Sequence, residues 1–313
     1  MTENLKFTEI NTIPCLTWNW LKMNRASLEV EASSDIISEK KEITASKKGE
    51  VVYLPLAFED GKRYEHEQVI TAEENAEITV IMDYTSAQNA GGFSSIKTKL
   101  VARPYSKIHL VKVQLLGSNY VQIDDTFGEC DDSAEINVTQ ISLGGARTYI
   151  QVKNELNGFA SKFKSDTAYI CENGQSLDMN YLVSHHGQKS DTKMQIKGVV
   201  GEGAFKVYRG TIDFKRGCAE ATGDEQEETL LMSKSAVNKS IPIILCDEEN
   251  VAGSHGATLG RLGADELFYM QSRGISEEEA KSMMKKAKVL AVSGLIPSQE
   301  LREKIEKWLE SNQ

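Results

Sequence analysis

The sequence is poor in the features that mark the commonest functional classes. It has no run of about 18 apolar residues, so no segment reads as a membrane-spanning helix. It has no C-x-x-C pair: Cys15, Cys130, Cys171, Cys218 and Cys246 stand at wide, irregular spacings. That pattern argues against a zinc ribbon or a preformed four-cysteine cluster site. An odd set of scattered cysteines reads as free thiols in a reducing compartment. No G-x-x-x-x-G-K-S/T, G-x-S-x-G or H-E-x-x-H stretch occurs, which removes a P-loop nucleotide, an elbow hydrolase and a zinc protease from consideration. Basic residues are outnumbered, 36 to 46, for a net charge of −10. Nucleic acid and anionic lipid both need a basic surface, so neither is expected as the main partner. The first ten residues carry Glu3, Lys6 and Glu9 in place of the apolar centre of a signal peptide, so the expected location is the cytoplasm.

What remains is an ordinary globular composition, 40% hydrophobic and 26% charged, dominated by strand patterns. From Val51 to Phe214 strand follows strand. Leu177, Met179, Tyr181 and Val183 alternate with Asp178, Asn180 and Leu182, the period of two of a half-buried sheet. No amphipathic helix interrupts the region, which excludes a βαβ arrangement. A weak repeat places a turn residue, a small residue, a charged one and an aliphatic together: Asn75-Ala76-Glu77-Ile78, Tyr105-Ser106-Lys107-Ile108, Ser133-Ala134-Glu135-Ile136, and more loosely Phe159-Ala160-Ser161-Lys162-Phe163. The steps from Ala76 to Ser106, Ala134 and Ala160 are 30, 28 and 26 residues. Helix-free repeats of this length fit a β-solenoid, with one continuous aliphatic column inside. A β-sandwich also has short strands and regular turns, and periodicity alone leaves the two open.

The ends differ from the middle. Residues 1–50 form a segment that is aromatic-rich at Trp18 and Trp20, residues 51–260 the β-body, and residues 261–313 a helical region. Ser276 with Glu279 is a capping box, and Ala280, Met283, Met284 and Ala287 make an apolar stripe after it. A second helix starts near Ser298, with Leu301, Ile305, Trp308 and Leu309 on one face. Such helices either close the end of a β-body or offer a partner a docking face.

The densest group of reactive side chains is the stretch from Cys246 to His255, which includes Glu248 and Glu249. A thiolate, carboxylates and an imidazole are a ligand set for iron, and a thiolate of lowered pKa also carries sulfur. With a bend at Gly253, a strand would put Cys246, Glu248 and Asn250 on one face and His255 on the turn beyond. The plain alternative is a buried hydrophobic cysteine followed by a solvated turn. His185 and His186, adjacent on a strand, are expected to face opposite sides. Cys218 beside Lys215 and Arg216 is either a favoured thiolate or a surface cysteine in a turn. Cys15, Cys130 and Cys171 have no partner in the sequence and are expected to be structural. A solenoid enzyme acting on polysaccharide needs paired carboxylates and aromatic platforms. Three tryptophans, none within the strand region, give that little support.

Ser254-His255-Gly256-Ala257-Thr258, Gly260, Asp265-Glu266-Leu267-Phe268-Tyr269 and Ser272-Arg273-Gly274-Ile275 resemble the C-terminal signature of the SufB/SufD family, in its SufD-like form. Supporting likenesses are His185-His186-Gly187, Gly210-Thr211-Ile212, Leu230-Leu231-Met232-Ser233 with Ala236 and Pro242, and Trp18-Asn19-Trp20-Leu21-Lys22 with Asn24. The resemblance implies a right-handed parallel β-helix with helical ends, and a scaffold for iron–sulfur cluster assembly instead of a conventional enzyme. It further implies a transient iron–sulfur cluster with no permanent cofactor, a SufC-like ABC ATPase docked on the C-terminal helices, and sulfur-donor and apo-acceptor proteins. The SufB-type cysteine and glutamate are replaced here by Glu227 and Gly256, whereas His255 matches the SufD-type histidine. The short chain looks like the single scaffold of a minimal system, which implies a homodimer. Cys246 with His255, aided by Glu248 or Glu249, would then form the cluster site. A metal-free structural or binding solenoid and a carbohydrate-active solenoid stand as the other readings.

Overall fold

The computed structural model describes residues 1–16, 21–261 and 263–312, with Ala264 by its backbone alone. Trp18 and Trp20 of the N-terminal segment lie outside the described residues. Strands β1 (Thr2–Ile10) and β2 (Ala26–Ser33) pair antiparallel as a hairpin. Beyond it the chain winds between two eight-stranded sheets. One holds β3 (Ile36–Ala45), β5 (Arg63–Ala72), β7 (Gly91–Ala102), β9 (Asn119–Cys130), β11 (Arg147–Leu156), β13 (Ser176–His185), β15 (Phe205–Phe214) and β17 (Val237–Cys246). The other holds β4 (Glu50–Ala57), β6 (Glu77–Thr85), β8 (Lys107–Leu116), β10 (Glu135–Gly144), β12 (Lys162–Cys171), β14 (Asp191–Val200), β16 (Thr222–Leu231) and β18 (Ala252–Arg261). Neighbours within each of the two sheets are parallel and in register, for instance β10 on β12 and β13 on β15. The fold is therefore a parallel β-solenoid of eight turns, and the antiparallel sandwich is excluded.

The repeat in the sequence is the coil itself. From Glu77 through Lys107, Glu135, Lys162, Asp191 and Thr222 to Ala252 the register steps are 30, 28, 27, 29, 31 and 30 residues. At one corner of successive coils stand Asn75, Tyr105, Ser133, Ala160, Lys189 and Glu220, all with positive φ. A left-handed non-glycine residue costs about 1–2 kcal/mol. Each is offset by an amide that donates to a carbonyl one coil further on, as Tyr105 does to Asp132 and Lys189 to Ala219. The next residue, Ala76, Ser106, Ala134, Ser161, Ser190 or Ala221, is fully buried, so the corner tolerates only a small side chain. Ser161 is thus the small corner residue of its coil, one position beyond Ala160.

The interior differs from the expected aliphatic column. Aliphatic layers such as Ile78, Ile108 and Ile136 are joined by buried Tyr84, Tyr169, Tyr181 and Tyr208 and by two ion pairs. Lys112 donates to Asp124 at 2.5 Å and to Thr126 at 2.7 Å, and Lys206 pairs with Glu227; all four ionic side chains are at most 1% exposed. Buried charge is tolerated only when paired and hydrogen-bonded, and these are.

Helices α1 (Ala264–Ser272), α2 (Glu277–Ser293) and α3 (Gln299–Ser311) follow. The capping box of Ser276 and Glu279 is formed. The helices do not close the solenoid end. Val289, Val292, Leu301, Ile305 and Leu309 pack against Ile81, Val111, Val113, Ile141 and Ala168 on the outer face of the even-numbered sheet. Lys304 to Asp83 at 2.6 Å and Lys285 to Glu172 at 2.5 Å pin them. The stripe of α3 that was open to a docking role is therefore covered by the chain's own sheet. In α2 the buried stripe runs through Ala280, Val289 and Val292, while Met283 is exposed.

The hairpin covers the other outer face, where Ile10, Leu28 and Val30 meet Phe93, Val121 and Ile123. Its return path is latched by Arg209, whose Nε donates to the Met23 carbonyl at 2.7 Å and whose Nη1 meets Asp178 at 2.5 Å. Asn11 donates to the same Asp178 carboxylate at 2.6 Å. Asp178→Ala strands the buried guanidinium, and urea denaturation should show a loss of about 3–5 kcal/mol.

Candidate functional site at the open end of the solenoid

Strands β17 and β18 form the last coil, and no strand among the described residues pairs with their outer edges. Alternation decides what each side chain faces. A Cβ on Gly253 would meet Phe214 and Ile244 of the interior, whereas one on Gly256 would meet the exposed Gln226. His255 therefore falls on the inward face of β18, in register with buried Glu225 of β16. Cys246 ends β17 in register with buried Phe214, so it too continues an inward column. With no coil above them, residues on this face are uncovered: Cys246 and His255 are exposed, and Leu259 is 55% exposed.

The bend lies earlier than the sequence pattern places it. The chain turns at residues 247–251, Gly253 is inside β18, and His255 is a strand residue and not part of a turn. Glu248 consequently does not share a strand face with Cys246. Its carboxylate accepts from the Gly217 amide at 2.9 Å and the Glu249 amide at 3.1 Å, and these backbone donors hold its pKa below the usual carboxylate value. Glu249 is exposed on the loop. Cys246 donates to the Glu248 carbonyl at 3.1 Å. Cys246, Glu248, Glu249 and His255 are not drawn into one cluster: among the described residues no group of three or more His, Cys, Asp or Glu is arranged to hold a metal.

The other cysteines sort by burial. Cys246 is exposed, which rejects the buried-hydrophobe alternative for it. Cys218 is fully buried, contrary to both expectations for it, and burial, then Glu248, pushes its thiol pKa up. Cys130 and Cys171 are buried, with thiols pushed up to about 12, mainly by desolvation. Cys15 is half-buried. All five are free thiols. The two adjacent histidines part as expected: His186 reaches outward to Glu155 at 2.8 Å, while His185 is buried between Ser190 at 2.7 Å and Thr192 at 2.9 Å.

Three residues escaped the sequence pattern. Glu225, Glu227 and Lys206 line the interior just beneath the last coil, each no more than 2% exposed. Glu227 is saturated: it takes Lys206, Thr229 at 3.1 Å and Ser240. Glu225 lacks any such partner on Oε2, and burial holds its carboxyl up at about 8. The run Asp224-Glu225-Gln226-Glu227-Glu228 reads as a solvated charge run, and only continuation of the coil repeat past Phe214 would have turned two of its members inward.

A parallel β-solenoid with an exposed thiol and an exposed imidazole on its terminal coil defines a class of proteins in which the fold presents side chains at an open end and does not enclose them. The chain belongs to the SufB/SufD family: the family described as "SUF system FeS cluster assembly, SufBD core domain" matches residues 58–288. Among curated relatives, iron-sulfur cluster assembly protein SufD of Escherichia coli (strain K12) is 26% identical over 67% of this chain and 50% of its own length. The SufD protein of Bacillus subtilis (strain 168) is 24% identical over 69% of the chain and 50% of its own length. The SufB protein of the same organism is 22% identical over 74% and 50%. The chain thus spans about half the length of these relatives. No helix among the described residues is long and apolar enough to cross a membrane.

The buried His185 carries a pH dependence. Desolvation lowers its pKa from 6.5 to about 4, so the folded protein keeps the imidazole neutral where the unfolded chain would protonate it. Stability from this group is present above about 6.5 and is lost as pH falls toward about 4. Urea titrations across that window should show a falling midpoint, and His185→Gln should flatten the slope.

Proposed function

We propose that this chain is the scaffold subunit of a SUF-type iron–sulfur assembly complex, acting in the cytoplasm as a non-enzymatic holder of a nascent cluster. The observation that carries the reading is the family match across the solenoid and first C-terminal helices, joined to an exposed thiol on the coil that bears the matching histidine. Cys246 and His255 are the assigned ligands, with Glu248 or Glu249 as labile oxygen donors. Iron and sulfide are cargo here: a thiolate, an imidazole and carboxylates hold ferrous iron well enough to collect it and loosely enough to release it.

The assigned assembly is a homodimer joined at the last coil, and the character of the edge supports it. The opposite end strand, β3, carries Glu39, Lys40, Lys41 and Glu42, charges that discourage pairing. Strand β18 reads Ala-Gly-Ser-His-Gly-Ala-Thr-Leu-Gly-Arg and has no such guard before Arg261. Pairing of two β18 edges would bring two copies of His255 and two of Cys246 to one interface. A SufC-like ABC ATPase is the assigned partner of the C-terminal helices. Since α3 is occupied by the solenoid, the surface left for it is the exposed apolar set Phe268, Tyr269 and Met283. Sulfur-donor and acceptor proteins complete the system.

Anaerobic reconstitution with ferrous iron and sulfide, followed by visible absorbance, tests the site. Cys246→Ser should keep the fold and lose most of the cluster absorbance, while Cys218→Ser retains it; the reverse outcome moves the role to Cys218. For the partner, Phe268→Asp should abolish co-purification with the ATPase without changing the melting temperature, because Phe268 is 72% exposed. Undiminished co-purification would refute that docking surface.

A further inference from the structure

We infer that Glu225 is a ligand of this site, the inner carboxylate beneath His255, and that it binds a divalent transition-metal ion, ferrous iron in the setting of the scaffold reading on which the inference rests. The inward column to which both residues belong runs Val80, Leu110, Val138, Ser165, Met194, Glu225, His255, one residue per coil. No titratable side chain occurs in it until the last two coils, where two metal-ligating side chains become neighbours on adjacent strands about 4.8 Å apart.

The environment of Glu225 is buried and polar, with one oxygen left over. The side chain is 2% exposed and Oε2 has no hydrogen-bond partner. The side chain that approaches it is Tyr208 of the facing strand β15, a neutral hydroxyl that brings no positive charge. Burial without a charged partner disfavours the ionised form of such a group, and folded proteins keep few unpaired buried oxygens. Glu227, one inward position along, has Lys206, Thr229 and Ser240 and needs nothing more. The cation beside the site, Lys206, is thereby taken by Glu227, and no salt bridge to Glu225 occurs among the described residues.

Space has been made for the group. A Cβ on Gly210 of the facing strand β15 would stand 2.2 Å from Glu225 Oε1, so glycine there is required for the carboxylate to lie between the sheets. Access comes from above, because His255 is exposed on the terminal coil. Oxygen and imidazole nitrogen together suit ferrous iron, cobalt and zinc better than calcium or magnesium. Glu248 is the weaker candidate for the carboxylate, because backbone amides already occupy both its oxygens.

Anaerobic calorimetry of the full chain with ferrous iron alone, and with cobalt(II) read by its visible absorption, tests the assignment. Loss of even an outer-shell partner costs a metal site about 10–100-fold in affinity. Glu225→Gln, nearly isosteric, should therefore weaken iron binding at least about tenfold and alter the cobalt spectrum, as should His255→Ala. Glu74→Gln, at an exposed corner remote from the last coil, should leave both unchanged. Wild-type affinity in Glu225→Gln, or no iron binding by the wild-type chain, overturns the assignment. Sulfide reconstitution separates the two readings. A Glu225-dependent iron site that never yields a cluster keeps this inference and sinks the scaffold reading. Normal cluster yield with Glu225-independent iron binding does the opposite.

Discussion

In a parallel solenoid the backbone of each coil is satisfied by the coils before and after it, so the last coil is always short of partners. Eight coils here saturate one another through in-register ladders, and β17 and β18 are left with free edges. Their inward side chains lack a covering layer for the same reason. Topology alone therefore makes the terminal coil the place where a thiol and an imidazole can continue an interior column and still meet solvent. Elsewhere along the described solenoid the same positions are sealed, as Phe214 and Met194 show.

The interior prepares that end. Buried ion pairs are weak evidence for stability, since desolvation offsets most of their attraction. What matters is whether each is complete. Lys112 pairs with Asp124 Oδ1 and with Thr126 deep in the stack, where Asp124 Oδ2 stays unpaired. Lys206 with Glu227 is closed, by Thr229 and Ser240. Beneath His255 the inward Glu225 likewise keeps Oε2 unpaired. What sets Glu225 apart from Asp124 is that no lysine is paired with it and that it lies directly under the uncovered coil.

Much of this was legible in the residues because the coil imposes a local rule at every corner. A turn residue, a buried small residue and an inward aliphatic recur with the coil length, so Ala76, Ser106 and Ala134 announce the solenoid even where strand type is ambiguous. Periodicity cannot distinguish stacked coils from a sandwich, because both alternate with period two; the parallel register decides it. The site was half legible. His255 and Cys246 stand in a dense reactive stretch, but the position of the bend depends on which backbone groups pair across coils, and Glu248 spends its carboxylate there. Glu225 was hidden in a run of acids whose two-faced character appears only once β16 is known to be a buried strand. The helices misled for a related reason: an apolar stripe shows that a face is covered, without showing whether the cover is a partner or the chain's own sheet.

The separation of the exposed thiol from the imidazole is itself informative. Gly253 stands over Phe214, the residue beneath Cys246, and His255 lies two residues further along β18, about 7 Å on. One ion bound by both would need donor atoms within about 4.5 Å of each other, the sum of two bonds of about 2.0–2.3 Å. In a single copy, Cys246 and His255 therefore do not meet at one ion. Bringing them together takes either a second copy across the unguarded β18 edge or a shift of the terminal coil. The terminal coil is tied to the helices, since Lys288 of α2 pairs with Glu228 of β16, the strand paired with β18. Under the proposed scaffold role, a partner that moved α2 would therefore move this edge, and assembly and release of cargo would be two settings of it.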